Sequence, residues 1–287
     1  MKRNDVCALI LTHGRPKQVR TINALRKHGY TGDIFLVVDD EDKCLHEYQQ
    51  VYGSTVVVFS KSKMDGLFDI ADNIDRARDT VVYARNRCHE IAKKLGYRYF
   101  VELDDDYVWF KYTYTAEGYF VHKKVLQLDS LIASMVDFLN STKALAVCLS
   151  QGGDHIGGQH LRFGLKRKAM NMFVCDTEHP FQFVGRMNDD VNTYCTLTSR
   201  GKLFFTIDRV ALQQHATQAQ GGGLTRMYLE LGTYTKSFYS VMMCPSAVRV
   251  GVLDDGYPRI HHKINWHHLA PKIIREDFKK TSSEPAA

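Results

Sequence analysis

Several features are scarce in this 287-residue sequence, and each scarcity closes a class of function. No stretch approaches the ~18 consecutive apolar residues of a membrane-crossing helix, so no membrane partner is expected. After Met1 to Asp5 the first apolar run lasts only about six residues, short of the ~7–15 of a secretory h-region, and no small-residue cleavage site follows. The seven cysteines (7, 44, 88, 148, 175, 195 and 244) contain no Cys-x-x-Cys pair. They read as reduced core thiols of a cytoplasmic protein, not as a disulfide frame or a zinc site. No Gly-Lys-Ser/Thr occurs, which removes a P-loop. No Gly-x-Gly-x-x-Gly follows the first strand, which removes the dinucleotide fingerprint. Against these absences, 44% of the residues are hydrophobic, enough for a full core. Lysine and arginine exceed aspartate and glutamate by 38 to 32, a net charge of +6 that suits nucleic acid, a nucleotide or plain solubility.

What is present alternates. Residues 8–12 are a continuous apolar run closed by His13-Gly14-Arg15-Pro16, the pattern of a buried strand ending in a turn. Pro16 suits a first helical turn, and Val19, Ile22 and Leu25 recur at helical spacing up to Gly29. Residues 33–38 and 55–59 read as buried strands, the first closed by Asp39-Asp40-Glu41-Asp42. Ala84, Cys88, Ile91, Ala92 and Leu95 predict an amphipathic helix, and residues 99–103 a fourth strand running into Asp104-Asp105-Asp106. Such alternation implies an α/β fold, a mostly parallel Rossmann-like sheet flanked by helices. Beyond residue 107 the pattern becomes mixed α+β. It holds a hairpin over 109–115 and 119–125, a helix over 128–139, strands at 145–149 and 203–207, and a helix opened by Asp189-Asp190. The glycine-rich stretches 151–158 and 216–223 read as loops that move over a substrate, and 279–287 as a disordered tail. With no linker, repeat or composition break, one domain is expected over 1–278, in halves 1–106 and 107–278.

Ligands of open α/β sheets bind beyond the carboxyl ends of the strands. His13, Arg15, Asp39, Asp40 and the acidic triplet all fall there. Three adjacent carboxylates repel one another unless a cation compensates them. Mg2+ and Mn2+ take carboxylate oxygens and share them with substrate phosphates; the other reading is a solvated acidic turn. Asp39 to Asp42 offer a carboxylate to a ribose or base edge, or else cap a helix. In Asn188-Asp189-Asp190 one carboxylate suits a general base for a hydroxyl nucleophile, and either suits a cap. Four of the 13 histidines lie within 261–268, but no cysteine or carboxylate completes a zinc spacing, so a single histidine at a metal is the reading. Basic residues cluster at His160, Arg162, Lys166, Arg167 and Lys168, while Trp109, Tyr112 and Tyr114 interleave with Lys111. Both groups suit phosphate contact and stacking on nucleic acid, or an ordinary half-exposed strand.

Taken in order, Leu11-Thr12-His13-Gly14-Arg15-Pro16, Val37-Val38-Asp39-Asp40, Ala84-Arg85-Asn86 and Leu103-Asp104-Asp105-Asp106 resemble the family 2-type glycosyltransferases of GT-A fold. The resemblance implies a nucleotide-sugar half over 1–106 and an acceptor half over 107–278. It implies nucleotide-sugar contacts at Thr12, His13, Arg15, Asp39, Asp40, Arg85, Asn86, Asp104 and Asp105, and a metal held by Asp106 with Asp104, His262 and His261. Asn188-Asp189-Asp190 is similar to the acidic motif that supplies the base in inverting members. That implies Asp190 as base, or Asp189, which stands where glutamate is usual. Residues 258–266 (Pro-Arg-Ile-His-His-Lys-Ile-Asn-Trp) resemble the TET/JBP-associated group that acts on hydroxylated DNA bases, including base J glucosyltransferase and bacteriophage types. The implied activity moves a sugar from a UDP-sugar, with Mn2+ or Mg2+, to the hydroxymethyl group of hydroxymethylcytosine or hydroxymethyluracil in double-stranded DNA. Trp109, Lys111, Arg162, Lys166, Arg167 and Lys168 would then face the DNA, in a host cytoplasm if the enzyme is phage-borne. Two further readings stay open: a GT-A enzyme with a protein, glycan or small-molecule acceptor, and an inactive relative that binds nucleic acid.

Overall fold

The computed structural model describes residues 3–71, 78–151, 164–214, 225–253, 258–269 and 276. The stretches 152–158 and 216–223, the tail 279–287, and His160 and Arg162 lie outside these residues.

Strand β1 (Val6–Leu11) is buried at every position, as a parallel strand covered on both faces must be. It pairs in parallel with β2 (Asp33–Asp39) on one side and β4 (Tyr99–Asp104) on the other, so that Leu9 stands opposite both Phe35 and Glu102. β3 (Val56–Phe59) extends the parallel set beyond β2. Helices α1 (Arg20–Lys27), α2 (Leu45–Tyr52) and α3 (Val82–Lys94) make the crossovers. The order 3-2-1-4 reverses direction at β1, which opens a crevice at the carboxyl ends of β1 and β4. The acidic triplet closes β4 at that crevice.

The second half adds β5 (Tyr107–Tyr114), β6 (Phe120–Lys124), α4 (Leu128–Thr142), β7 (Ala146–Gln151), β8 (Asn171–Asp176), α5 (Asp189–Thr198) and β9 (Phe204–Gln214). One nine-stranded sheet runs through both halves in the order β3-β2-β1-β4-β8-β7-β9-β5-β6. The pairings make seven of the nine strands run one way, with β8 and β5 opposed. The mostly parallel sheet expected from the alternation is therefore present. α6 (Thr225–Met243), an antiparallel pair β10 (Val248–Leu253) and β11 (Arg259–Ile264), and α7 (Trp266–Leu269) follow. Among the described residues no helix is long and apolar enough to cross a membrane, and all seven cysteines are free.

Three details depart from the sequence reading. Pro16 begins a short 3-10 turn (Pro16–Gln18), and α1 starts only at Arg20, where the Arg20 and Thr21 amides bind the Asp105 carbonyl. β8, to which the sequence reading assigns nothing, is wholly buried and enters antiparallel between β4 and β7. β9 is longer than the expected 203–207, and its pairing with β7 slips between Ile207 and Ala211. β7 pairs with β9 on both sides of that irregularity, as far as Leu212, while β5 pairs with its other edge from Val210 to Gln214.

His89 of α3 is buried with its ring edge-on to Phe100 and Phe181, at 4.9 and 5.3 Å. Burial pushes its pKa down from 6.5 to about 4. Between those values the unfolded chain takes a proton that the folded chain refuses, so stability falls as pH drops, by up to about 3 kcal/mol. His89→Leu is expected to remove that part of the acid sensitivity. Urea unfolding at pH 7 and pH 4.5 checks it: equal pH dependence in variant and wild type would contradict the assignment.

Candidate active site

The turn that carries the triplet is tied down through its middle residue. Asp105 is buried, and both its oxygens are taken: Oδ2 accepts from Thr12 Oγ1 at 2.7 Å and Oδ1 from Arg15 Nη2 at 2.8 Å. Thr12 Oγ1 also lies 2.7 Å from Tyr48 Oη, which accepts the Arg15 amide at 2.9 Å. Thr21 Oγ1 donates to the Asp104 carbonyl at 2.6 Å and accepts the Tyr107 amide at 2.9 Å, so the first turn of α1 braces the acidic turn. Asp105, expected to touch the donor, is thus a structural tie between β1, α1 and β4. Its neighbours are less committed. Asp104 is about a third exposed, and Asp106 Oδ1 is enclosed with no hydrogen-bond partner. Burial, then the charges of Asp104 and Asp105, pushes the Asp106 carboxyl up to about 7.

Arg85 of α3 joins the two acidic segments. It is buried against the rings of Phe173 and Phe183. Its Nη1 donates to Glu102 Oε1 at 2.6 Å, Nη2 to Asp104 Oδ1 at 3.3 Å, and Nε lies 2.8 Å from Asp189 Oδ2. Burial opposes its charge, but Asp104, Asp189, Glu102 and Asp190 together hold it protonated. Burial lifts Glu102 and Asp189 to about 7 despite that partner. One guanidinium thus contacts three carboxylates.

The approach to α5 is built by local geometry. Both side-chain atoms of Asn86 bind the Phe183 backbone, at 2.6 and 2.9 Å, so its amide positions this segment. Gly185 adopts φ +87, and a Cβ there would fall 2.3 Å from Asn192 Nδ2. Asn188, at φ 51, donates to the Lys236 carbonyl at 2.8 Å and Ser240 Oγ at 3.2 Å, anchoring the turn to α6. Asp189 and Asp190 then fill the first turn of α5. Asp190 is half-buried and accepts the Val191 amide through Oδ1 at 2.7 Å. Burial raises its pKa, while the Val191 amide and the charges of Arg85, Lys236 and Lys168 hold it back. Behind it His262 is buried, its Nε2 enclosed without a hydrogen bond, and burial pushes its pKa down to about 2. Its ring leans on that of His261 at 4.1 Å, and His261 Nε2 lies 3.3 Å from Lys168 Nζ.

At the β2 end, His13 Nδ1 lies 2.7 Å from Asp39 Oδ2, and Lys61 Nζ lies 3.1 Å from the same oxygen. The bond to Asp39 raises the His13 pKa. Asp42 accepts the Gly14 amide at 2.7 Å, and Asp40 the Lys61 amide at 3.0 Å. His13, Asp39 and Asp42 are, among the described residues, the one set of three whose ligand atoms lie within 4.8 Å of one another. Lys61 and the Gly14 amide already serve those oxygens. Asp104, Asp106, His261 and His262, the expected metal ligands, do not form such a set. Their chemistry nevertheless fits a hard divalent ion: an enclosed carboxylate oxygen of Asp106 without a donor, the same carboxyl raised to about 7 by burial and its acidic neighbours, and a neutral buried imidazole.

The basic cluster of the sequence does not share one face. Lys166 is exposed, Arg167 is buried with its Nε 3.9 Å from Asp208, and Lys168 turns to His261. Trp109 and Lys111 are half-buried on β5. Sequence reasoning missed Glu102, Tyr48 and Lys61. Glu102 left a signal, a lone charge inside the apolar run 99–103.

Removing Arg85 leaves buried carboxylates uncompensated. Arg85→Ala is expected to lower the unfolding free energy by about 3–5 kcal/mol. Chemical denaturation at pH 7 checks it, and a loss below about 1 kcal/mol would show that the carboxylates do not depend on this partner.

The model of the TET-associated glycosyltransferase family matches residues 7–223. No curated protein matches the sequence. Solved structures similar to this chain include glucosyl-3-phosphoglycerate synthase from Mycobacterium tuberculosis with Mg2+ and uridine diphosphate, at 9% identity and TM-score 0.47, covering 91% of this chain and 88% of that one. The same enzyme with Mn2+, UDP-glucose and phosphoglyceric acid gives 10% identity and TM-score 0.48, covering 92% and 90%. TarS of S. aureus gives 10% identity and TM-score 0.42, covering 76% and 37%.

Proposed function

The chain belongs to the TET-associated glycosyltransferase family, and from that membership we propose that it moves a sugar from a UDP-sugar to the hydroxymethyl group of a modified pyrimidine in DNA. The observation that carries the mechanism is the guanidinium of Arg85, which contacts Asp104 at the end of β4 and Asp189 at the start of α5. It brings a donor-side and an acceptor-side carboxylate to one crevice at the sheet's switch point. The DNA acceptor rests on the family's association and on the resemblance at 258–266.

In this reading the nucleotide lies over the β1 and β2 ends, against His13, Asp39 and Asp40, with Arg15 beside it. Asp106 and Asp104, with His262, would hold Mn2+ or Mg2+, which supplies positive charge to the departing diphosphate. Asp190 is the better base of the acidic pair. Asp189 Oδ2 is engaged by Arg85 and locked below the surface, whereas Asp190 is half-buried with only Oδ1 bonded. Asp190 accepts the proton of the acceptor hydroxyl, the hydroxyl oxygen bonds to the anomeric carbon, and the bond to the diphosphate breaks as UDP leaves. Asp189 positions Arg85, and Asn86 positions the segment that leads to both.

Two measurements test this. Protein, Mn2+ and a panel of UDP-sugars are incubated with DNA containing hydroxymethylcytosine or hydroxymethyluracil, and the digested nucleosides are weighed by mass spectrometry. A hexose or pentose mass gain is expected; transfer only to a protein, glycan or small molecule would overturn the DNA acceptor. Asp190→Asn is expected to lower turnover about 10²–10⁴-fold with little change in unfolding free energy. Undiminished transfer in that variant would remove Asp190 from the base role.

A further inference from the structure

β5 leaves the acidic turn directly, Tyr107 following Asp106, and two residues on stands Trp109. Lys27, the last residue of α1, holds its Nζ 4.9 Å from the Trp109 ring centroid, and Lys124 of β6 holds its Nζ at 5.6 Å. Lys111 is the direct cross-strand partner of Lys124. Two lysines thus approach one indole and a third, Lys111, stands across the strand pair from one of them and two residues along β5 from Trp109. Among the described residues none of the three is in an ion pair with a carboxylate. Burial, then the charges of Lys124 and Lys27, also lowers the pKa of the neighbouring His28.

Two purely structural accounts fall short. β6 ends the sheet, and lysines on an edge strand keep other strands from pairing with it. Exposed Lys123 serves that purpose, but Lys111 lies on β5, which is paired on both sides. Like charges directly opposite one another across a strand pair cost stability, and the fold gains nothing visible from this pair. The indole accounts for Lys27 and Lys124 through cation–π contact, worth about 0.5–1 kcal/mol at exposed sites, but not for Lys111 beside them.

We propose that Lys27, Lys111 and Lys124 around Trp109 form a docking surface for the phosphates of the DNA that carries the acceptor base. The inference rests on the DNA reading above and adds the residues that grip the duplex. Phosphates suit the surface better than bases do, because the ring that a base would stack on is already approached by two ammonium groups. Three residues of strand set Trp109 about 10 Å from Asp106. Along one DNA strand, at about 3.4 Å per nucleotide, that reaches a phosphate roughly three steps from the reacting base.

The test follows binding of a fluorescent duplex of about 20 base pairs, containing hydroxymethylcytosine, by anisotropy from 50 to 200 mM salt. Wild type is compared with Lys111→Gln/Lys124→Gln and with a charge-matched control, Lys93→Gln/Lys94→Gln, two exposed lysines at the far end of α3. Each lost phosphate contact removes about 0.9 from the slope of log K against log salt. The Lys111/Lys124 variant is expected to lose about 1.8 from the slope and to bind about tenfold or more weakly at 100 mM. The control should keep the wild-type slope. The variant should melt close to the wild-type temperature, because the repulsion removed between the paired lysines offsets the lost contact of Lys124 with the indole. Should it fail to fold, Lys27→Gln alone is expected to reduce the slope by about 0.9. A wild-type slope in the Lys111/Lys124 variant, or an equal loss in the control, overturns the docking surface while leaving the DNA acceptor standing. Wild-type protein that neither binds nor glycosylates DNA but modifies another acceptor overturns the DNA reading, and this surface with it.

Discussion

A single buried guanidinium holds the candidate site together. Arg85 comes from α3, and it reaches Glu102 inside β4, Asp104 at the end of that strand and Asp189 at the start of α5. Such a group tolerates burial only because carboxylates surround it, and they tolerate burial only because it is there. The arrangement is lopsided: three carboxylates contact one guanidinium, and burial lifts Glu102 and Asp189 toward neutrality.

The acidic triplet divides its labour along the same logic. Asp105 gives up its whole hydrogen-bonding capacity to Thr12, Arg15 and the α1 amides, and so fixes the loop after β1 against the end of β4. That rigidity is what allows Asp106 to keep an enclosed oxygen without a donor. A carboxylate so placed is costly unless something binds it, and the cost is borne by a turn that is braced from three sides. The His13, Asp39 and Lys61 cluster at the β2 end is the opposite case, a buried carboxylate already matched by a buried lysine and an exposed histidine.

Much of this was legible in the sequence. Four apolar runs ending in polar turns gave the parallel core, because a strand covered on both faces must be apolar throughout. The strand ends then pointed to His13, Arg15, Asp39, Asp40 and the triplet, since crossover topology puts ligand chemistry at that edge. The cluster at 166–168 was misleading because a linear run of bases says nothing of which face each side chain takes: Lys166 is exposed, while Arg167 turns inward toward Asp208. Glu102 was hidden inside a hydrophobic pattern that it interrupts only once. β8 escaped notice because its place between β4 and β7 depends on contacts far away in the chain.

The sequence by itself determined the alternation of strands and helices, the acidic character of the strand ends and the family to which the chain belongs, because hydrophobic period and local motif are properties of neighbours along the chain. Only the tertiary structure decided which carboxylates share a partner. Asp189 and Asp104 lie far apart in sequence and meet only because α3, β4 and α5 converge on Arg85. Likewise Lys27, Lys111 and Lys124 become a patch only when α1 and the β5–β6 hairpin fold over the same indole. Charge is written locally, but its energy depends on distance and burial, and those exist only once the chain has folded.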